Sequence, residues 1–100
     1  MQHDVFAHPS RRARDRYSFV VVLQSDYAES VDRLVAPLIP LAQRLSIRGV
    51  PVVAFEDAWF AVGLLQMFAL PPRGLRRSIG SVQAYRDEIT RELDWLFTGI

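Results

Sequence analysis

The sequence predicts a small, mainly β (α+β) fold in which a series of short strands is followed by one C-terminal helix. Three observations carry this. Residues 17–23 (YSFVVVL) are aromatic and β-branched, with no polar interruption after Ser18, the composition of a strand buried on both faces. Further short apolar segments recur up to Gly80, each bounded by Pro, Gly or acidic turn residues. Beyond them Val82, Tyr85, Ile89, Leu93 and Leu96 repeat at spacings of three and four, which puts them on one face of a helix. Strands first and a helix last imply a small antiparallel barrel or sheet with the helix packed on one side.

The elements follow in order. Val5, Phe6 and Ala7 form a short first strand ended by Pro9, and residues 10–15 are a polar loop. The strand at 17–23 stops at Gln24-Ser25-Asp26, which is turn chemistry. A strand over 33–38 is stopped near Pro37 and Pro40, and 41–49 is a loop or a one-turn helix between Pro40 and Pro51. Residues 50–55 return to strand character before a turn at Glu56-Asp57. The apolar stretch 58–70 reads as two strands, 59–62 and 64–70, broken at Gly63. Period alone does not separate this from one buried helix, but the bounding turn residues and Pro71-Pro72 favour strands. Residues 75–79 are a weak strand. In the helix, Asp87 precedes Arg91 by four residues, a pairing that favours helix by a few tenths of a kcal/mol. Ser81 or Gln83 caps its start and Gly99 stops it.

One hundred residues make a single domain, 1–100. A chain of this length buries only about 60–65% of its unfolded surface. Half of its residues are hydrophobic, and surplus apolar surface on so small a domain is used against a partner or a second copy. The net charge of +1 gives no field for nucleic acid or membranes. All of the basic residues are Arg, and there is no Cys, which excludes disulfides and thiolate metal sites. Met1-Gln2-His3-Asp4 lacks the character of a signal peptide. The longest apolar stretch is about two-thirds of a membrane span and contains Gln66. The expectation is a cytoplasmic protein without a cofactor.

Candidate chemistry is sparse. There is no phosphate-binding glycine loop, no His-Glu-x-x-His and no Gly-x-Ser-x-Gly. His3 and His8 lack a third ligand and read as surface or edge residues rather than metal ligands. Glu56 and Asp57 read as a turn rather than an acid–base pair. Arg11, Arg12, Arg14 and Arg16 form a basic loop suited to an acidic protein partner. As a nucleic-acid site it lacks interleaved aromatics apart from Tyr17. Trp59 reads as core, whereas Trp95 is offset from the helical stripe and either widens the buried face or is exposed for contact. Leu96, Phe97 and Ile100 crowd an end where most chains are polar. This tail is either docked on its own core or kept for a partner.

The whole chain resembles the CcdB-type toxins, the poison half of a bacterial toxin–antitoxin module. Met1-Gln2-x-x-Val5 fits the family's start. Leu23-Gln24-Ser25-Asp26 resembles its Val-Gln-Ser-Asp segment, and residues 33–38 (RLVAPL) resemble its Arg-Met-Val-Ile-Pro-Leu. Pro51-Val52-Val53, Trp59, Arg86-Asp87-Glu88-Ile89 and Phe97-x-Gly99-Ile100 follow in order. The resemblance implies an SH3-like antiparallel barrel with a C-terminal helix, a homodimer, and action by binding rather than catalysis. The implied target is the A subunit of DNA gyrase, held with its DNA cleaved. Family gyrase contacts correspond to Thr98, Gly99 and Ile100, to Asp94 on the same helix, and to Tyr27, Ala28 and Glu29 in the loop after the Gln-Ser-Asp segment. Thr98 stands where the best-known branch carries a Trp suited to stacking on an Arg of gyrase. The implied antitoxin is CcdA-like, with an acidic, disordered C-terminal segment for which Arg11, Arg12, Arg14 and Arg16 are the best-suited site. Neither direct nucleic-acid binding nor membrane association is expected. Two other readings stand beside this one: a non-toxic or decayed interaction domain, motivated by Thr98, and a MazF-like ribonuclease toxin, for which no catalytic pair is evident.

Overall fold

The computed structural model describes residues 1–24 and 32–98. Seven strands form one curled antiparallel sheet: β1 (Asp4–Ala7), β2 (Phe19–Val22), β3 (Arg33–Leu41), β4 (Val52–Phe55), β5 (Ala58–Val62), β6 (Phe68–Leu70) and β7 (Gly80–Ser81). Their order is β4-β5-β3-β2-β1-β7, with β6 on β3. The result is an SH3-like half-barrel, closed on one side by helix α1 (Arg86–Thr98).

The strand β3 organises the sheet. Its first half pairs with β2 and β6, and its second half with β5. It runs through Pro37 and Pro40, where the sequence predicts a stop. The reason is where the missing N–H groups fall. The Pro37 carbonyl accepts from Gly63 N–H at 2.9 Å, so its nitrogen shares that flank, in the gap between the β6 pairing and the β5 pairing. Strand alternation turns the nitrogen of Pro40 to the opposite flank, past the last β2 partner. Neither proline costs a ladder bond.

The strand β2 is buried on both faces, as its composition predicts. Val21 and Leu23 join Val5, Leu38, Val53, Phe55, Phe60 and Val62 in the main core. Val20 and Val22 join Phe6, Val35, Leu70 and Leu75 on the other face. Beyond β2, the Gln24 side chain spans its neighbour: Nε2 donates to the Asp32 carbonyl at 3.0 Å, and Oε1 accepts from Leu34 N–H at 3.0 Å.

The β4–β5 hairpin turns on Glu56 and Asp57, both at positive φ (49° and 61°), the geometry of a two-residue hairpin turn. The break at Gly63 is where the sequence puts it, but β6 is shorter than predicted because Leu64–Gln66 is a 3-10 turn. Residues 75–79 form no strand; the pairing with β1 comes from Gly80 and Ser81. A Cβ on Gly80 would lie 2.6 Å from the Phe55 ring, so only glycine lets β7 approach the core this closely.

The Ser81 Oγ accepts from Gln83 N–H at 3.1 Å and starts a 3-10 turn, Gln83–Tyr85, that leads into α1. The predicted stripe holds for Val82 and Ile89, both buried, with Tyr85 and Leu93 half-buried against the core. It fails at Leu96, which is 37% exposed, because it faces an open groove beside the sheet rather than the packed core. Arg91 pairs with its neighbour Glu92 at 3.6 Å rather than with Asp87. Gly99 lies outside the described residues.

Candidate functional site

The stripe of α1 opposite the core carries Asp87, Thr90, Arg91, Asp94, Trp95 and Thr98. With Arg86, Gln2 and His3 they line an open depression of about 620 Å³. Asp94 and Thr98, one helical turn apart, are thus brought onto one surface, as the sequence expects. Trp95 joins them and is 60% exposed, which decides its role against the core. Phe97 is 65% exposed beside it.

The helix end is not arranged for stability. Asp87 and Glu88 in the first turn complement the helix dipole, but the last turn carries no basic residue. Asp94 stands near the negative end, where a carboxylate is disfavoured, next to two exposed aromatic rings. Tyr27, Ala28, Glu29, Gly99 and Ile100 lie outside the described residues.

Both histidines depart from the sequence reading: they are buried, not surface residues. His3 sits at φ 68° between β2 and β7. Its N–H donates to the Val22 carbonyl at 2.8 Å, and its own carbonyl accepts from Val82 N–H at 2.9 Å. Burial first, and then the charge of Arg86, hold its imidazole below the ordinary value. The Nε2 atom of His3 is buried with no hydrogen-bond partner among the described residues. The ring of His8 lies 5.6 Å from that of Phe68, and its Nδ1 accepts from Ser10 N–H at 3.1 Å. Burial, then Arg14, lowers its pKa. No group of three or more His, Cys, Asp or Glu side chains suited to a metal ion occurs among the described residues.

The family model described as CcdB protein matches residues 2–99. The chain belongs to the CcdB family. No curated protein matches it. Membership makes it a toxin of the toxin–antitoxin class, from a family whose toxins act by binding. No helix among the described residues is long and apolar enough to cross a membrane.

The second predicted site of this CcdB family member is the arginine loop. It holds a short 3-10 turn, Ala13–Asp15, and keeps Arg11, Arg12, Arg14 and Arg16 exposed. Arg14 is fixed by its Nε, which donates to the His8 carbonyl at 2.6 Å, and the Arg16 guanidinium lies 6.0 Å from the Tyr17 ring centroid. Trp59, expected in the core, is half-buried, with the Arg44 guanidinium 5.7 Å from its ring centroid.

An apolar groove of about 420 Å³ runs beside α1, lined by Ile39, Leu41, Ile47, Val50, Leu65, Trp95 and Leu96 among others. Leu65 is 81% exposed there. Sequence reasoning missed this groove, because Leu65 lies within what reads as a strand. It missed also that Arg73, Arg76 and Arg77 meet Arg14 in one cleft; the available signal was three arginines within five residues after a proline pair.

Proposed function

We propose that the chain binds the A subunit of DNA gyrase, traps the complex in which gyrase holds cleaved DNA, and is neutralised by a cognate CcdA-like antitoxin. The observation that carries this is the shared surface of Asp94, Trp95 and Thr98 on the end of α1, in a chain of the CcdB family. In this reading Gly99, Ile100, Tyr27, Ala28 and Glu29 complete the contact. Trp95 supplies the aromatic surface that Thr98 lacks. No bond is made or broken by the toxin. It shifts a population, binding the open, cleaved state of gyrase better than the closed one.

The apolar groove beside α1 is assigned to a second copy of the chain. Trp95 lines both the groove and the gyrase-facing depression, so a two-fold dimer would set two such surfaces side by side. Against a two-fold gyrase the second contact is then intramolecular, and avidity strengthens both. The acidic antitoxin segment is assigned to Arg11, Arg12, Arg14 and Arg16, where guanidinium groups offer paired donors to carboxylates. The target places the action in the cytoplasm.

Expression in a gyrase-sensitive bacterium is expected to arrest growth while gyrase-linked DNA breaks accumulate. Harmless expression, or toxicity without breaks, refutes the proposal. Failure of the intact chain to bind the gyrase A subunit favours the decayed-toxin reading that Thr98 motivates. Cleavage of RNA by the purified protein favours a ribonuclease instead.

A further inference from the structure

Arg14, Arg73, Arg76 and Arg77 come from two distant parts of the chain and line one cleft of about 360 Å³, walled by Ala7, Pro9 and Ile79. None of the four has a carboxylate partner among the described residues. Seven of the arginines of the chain fall in 11–16 and 73–77, and Asp15 is the single acid in those segments. So dense a grouping of one sign is costly unless an anion shares it.

The cleft is also held in shape. The turn Pro72–Gly74 has two prolines at its start, and Gly74 and Leu75 N–H donate to the Pro71 and Pro72 carbonyls at 2.8 and 3.0 Å. Leu70 and Leu75 are buried on either side of Arg73. After Arg76 and Arg77, Ile79 N–H donates to the Val5 carbonyl at 2.8 Å. Arg14 is tied to His8. The Arg14 guanidinium is thus held directly, and the other three arginines stand on fixed backbone, which lowers the ordering cost of binding.

Between the arginines, β1 has an open flank. Its pairing with β7 covers Asp4 and Val5 only. Ala7, exposed at the cleft, has no strand partner on that side among the described residues. We propose that this cleft binds an extended acidic peptide. Its carboxylates pair with Arg14, Arg73, Arg76 and Arg77, its apolar side chains rest on Pro9 and Ile79, and its backbone adds to the flank of β1 at Ala7. An apolar wall with an unpaired strand flank matches a peptide better than a nucleic-acid backbone, and no aromatic ring lines the cleft for base stacking. Naming this peptide as the antitoxin segment rests on the antitoxin reading above; the peptide chemistry of the cleft does not.

The test uses a fluorescein-labelled peptide of repeated Glu-Leu-Asp-Ser, titrated with the purified full chain and followed by anisotropy. Binding is expected, and the triple variant Arg73→Gln, Arg76→Gln, Arg77→Gln is expected to weaken it about tenfold or more. Arg44→Gln, outside the cleft, should leave it unchanged, and circular dichroism melts should match for all three proteins. Unchanged affinity in the triple variant, no peptide binding by the unsubstituted chain, or a DNA duplex that binds more tightly than the peptide overturns the proposal. A second arm uses the protein encoded in the neighbouring reading frame. If the peptide binds at the cleft but that protein does not bind the chain, the antitoxin reading fails alone. If that protein binds the triple variant as well as the unsubstituted chain, the cleft is not its site.

Discussion

Replacing Trp95 by Ala should separate binding from folding. The residue is 60% exposed. A tryptophan side chain offers roughly 150–250 Å², so roughly 90–150 Å² remains for a partner to cover. At about 25 cal/mol per Å², covering that area contributes roughly 2–4 kcal/mol, the range of an interface hot spot. The expected loss of affinity for the gyrase A subunit is therefore roughly 30- to 700-fold. The part of the ring that already touches its own chain contributes less, so the variant should still melt cooperatively, with a lower midpoint. The assay is calorimetric titration of the purified gyrase A subunit, with a thermal melt of the same protein sample. An unchanged dissociation constant in a folded Trp95→Ala protein would show that the ring faces no partner, and would remove the main support for a binding surface on α1.

Other outcomes follow from the same geometry. Leu65→Asp puts a charge in the apolar groove at an 81% exposed position, so it should yield monomers in analytical ultracentrifugation at little cost to the fold; an unchanged sedimentation coefficient would reassign the groove. Ile89 is the one buried residue within α1, and Ile89→Ala should cost about 2–5 kcal/mol in chemical denaturation; a loss below about 1 kcal/mol would mean that the helix is held elsewhere. Gly80→Ala drives a methyl group into Phe55 and should cost roughly 1–3 kcal/mol, with a neutral result showing that β7 moves aside. Both histidines have a folded-state pKa below the ordinary 6.5. As pH falls through 6.5 the unfolded chain takes up protons that the folded chain does not, so stability should decline from there towards the folded-state values. A double variant, His3→Gln with His8→Gln, should flatten that part of the melting-temperature profile, and an identical slope would disprove the linkage.

Much of this was legible from residues 1–100 alone because local and tertiary signals agree. The doubly buried β2, the Glu56-Asp57 hairpin turn and the Val82–Tyr85–Ile89 face each follow from patterning that packing then obeys. Legibility fails where a long-range partner decides. Pro37 and Pro40 look like strand breakers until the flanks of β3 are known. His3 and His8 look like surface residues because burial here comes from β2, β7 and Phe68, none of them near in sequence. The same limit applies to the surfaces. Asp94 and Thr98 share a helix face by spacing, so the sequence alone brings them together. Arg14 and Arg73 are brought together only by the fold.

The central strand pair raises a problem of its own. Because β2 is apolar on both faces, sliding it by one residue along β3 would still bury valine on either side. Hydrophobic alternation, which normally forbids such a slip, carries no information there. What distinguishes the native alignment is polar: the Gln24 amide fits between the Asp32 carbonyl and Leu34 N–H. Gln24 is thus the index mark of the sheet, and mispaired chains, rather than unfolded ones, are the products to expect when it is replaced.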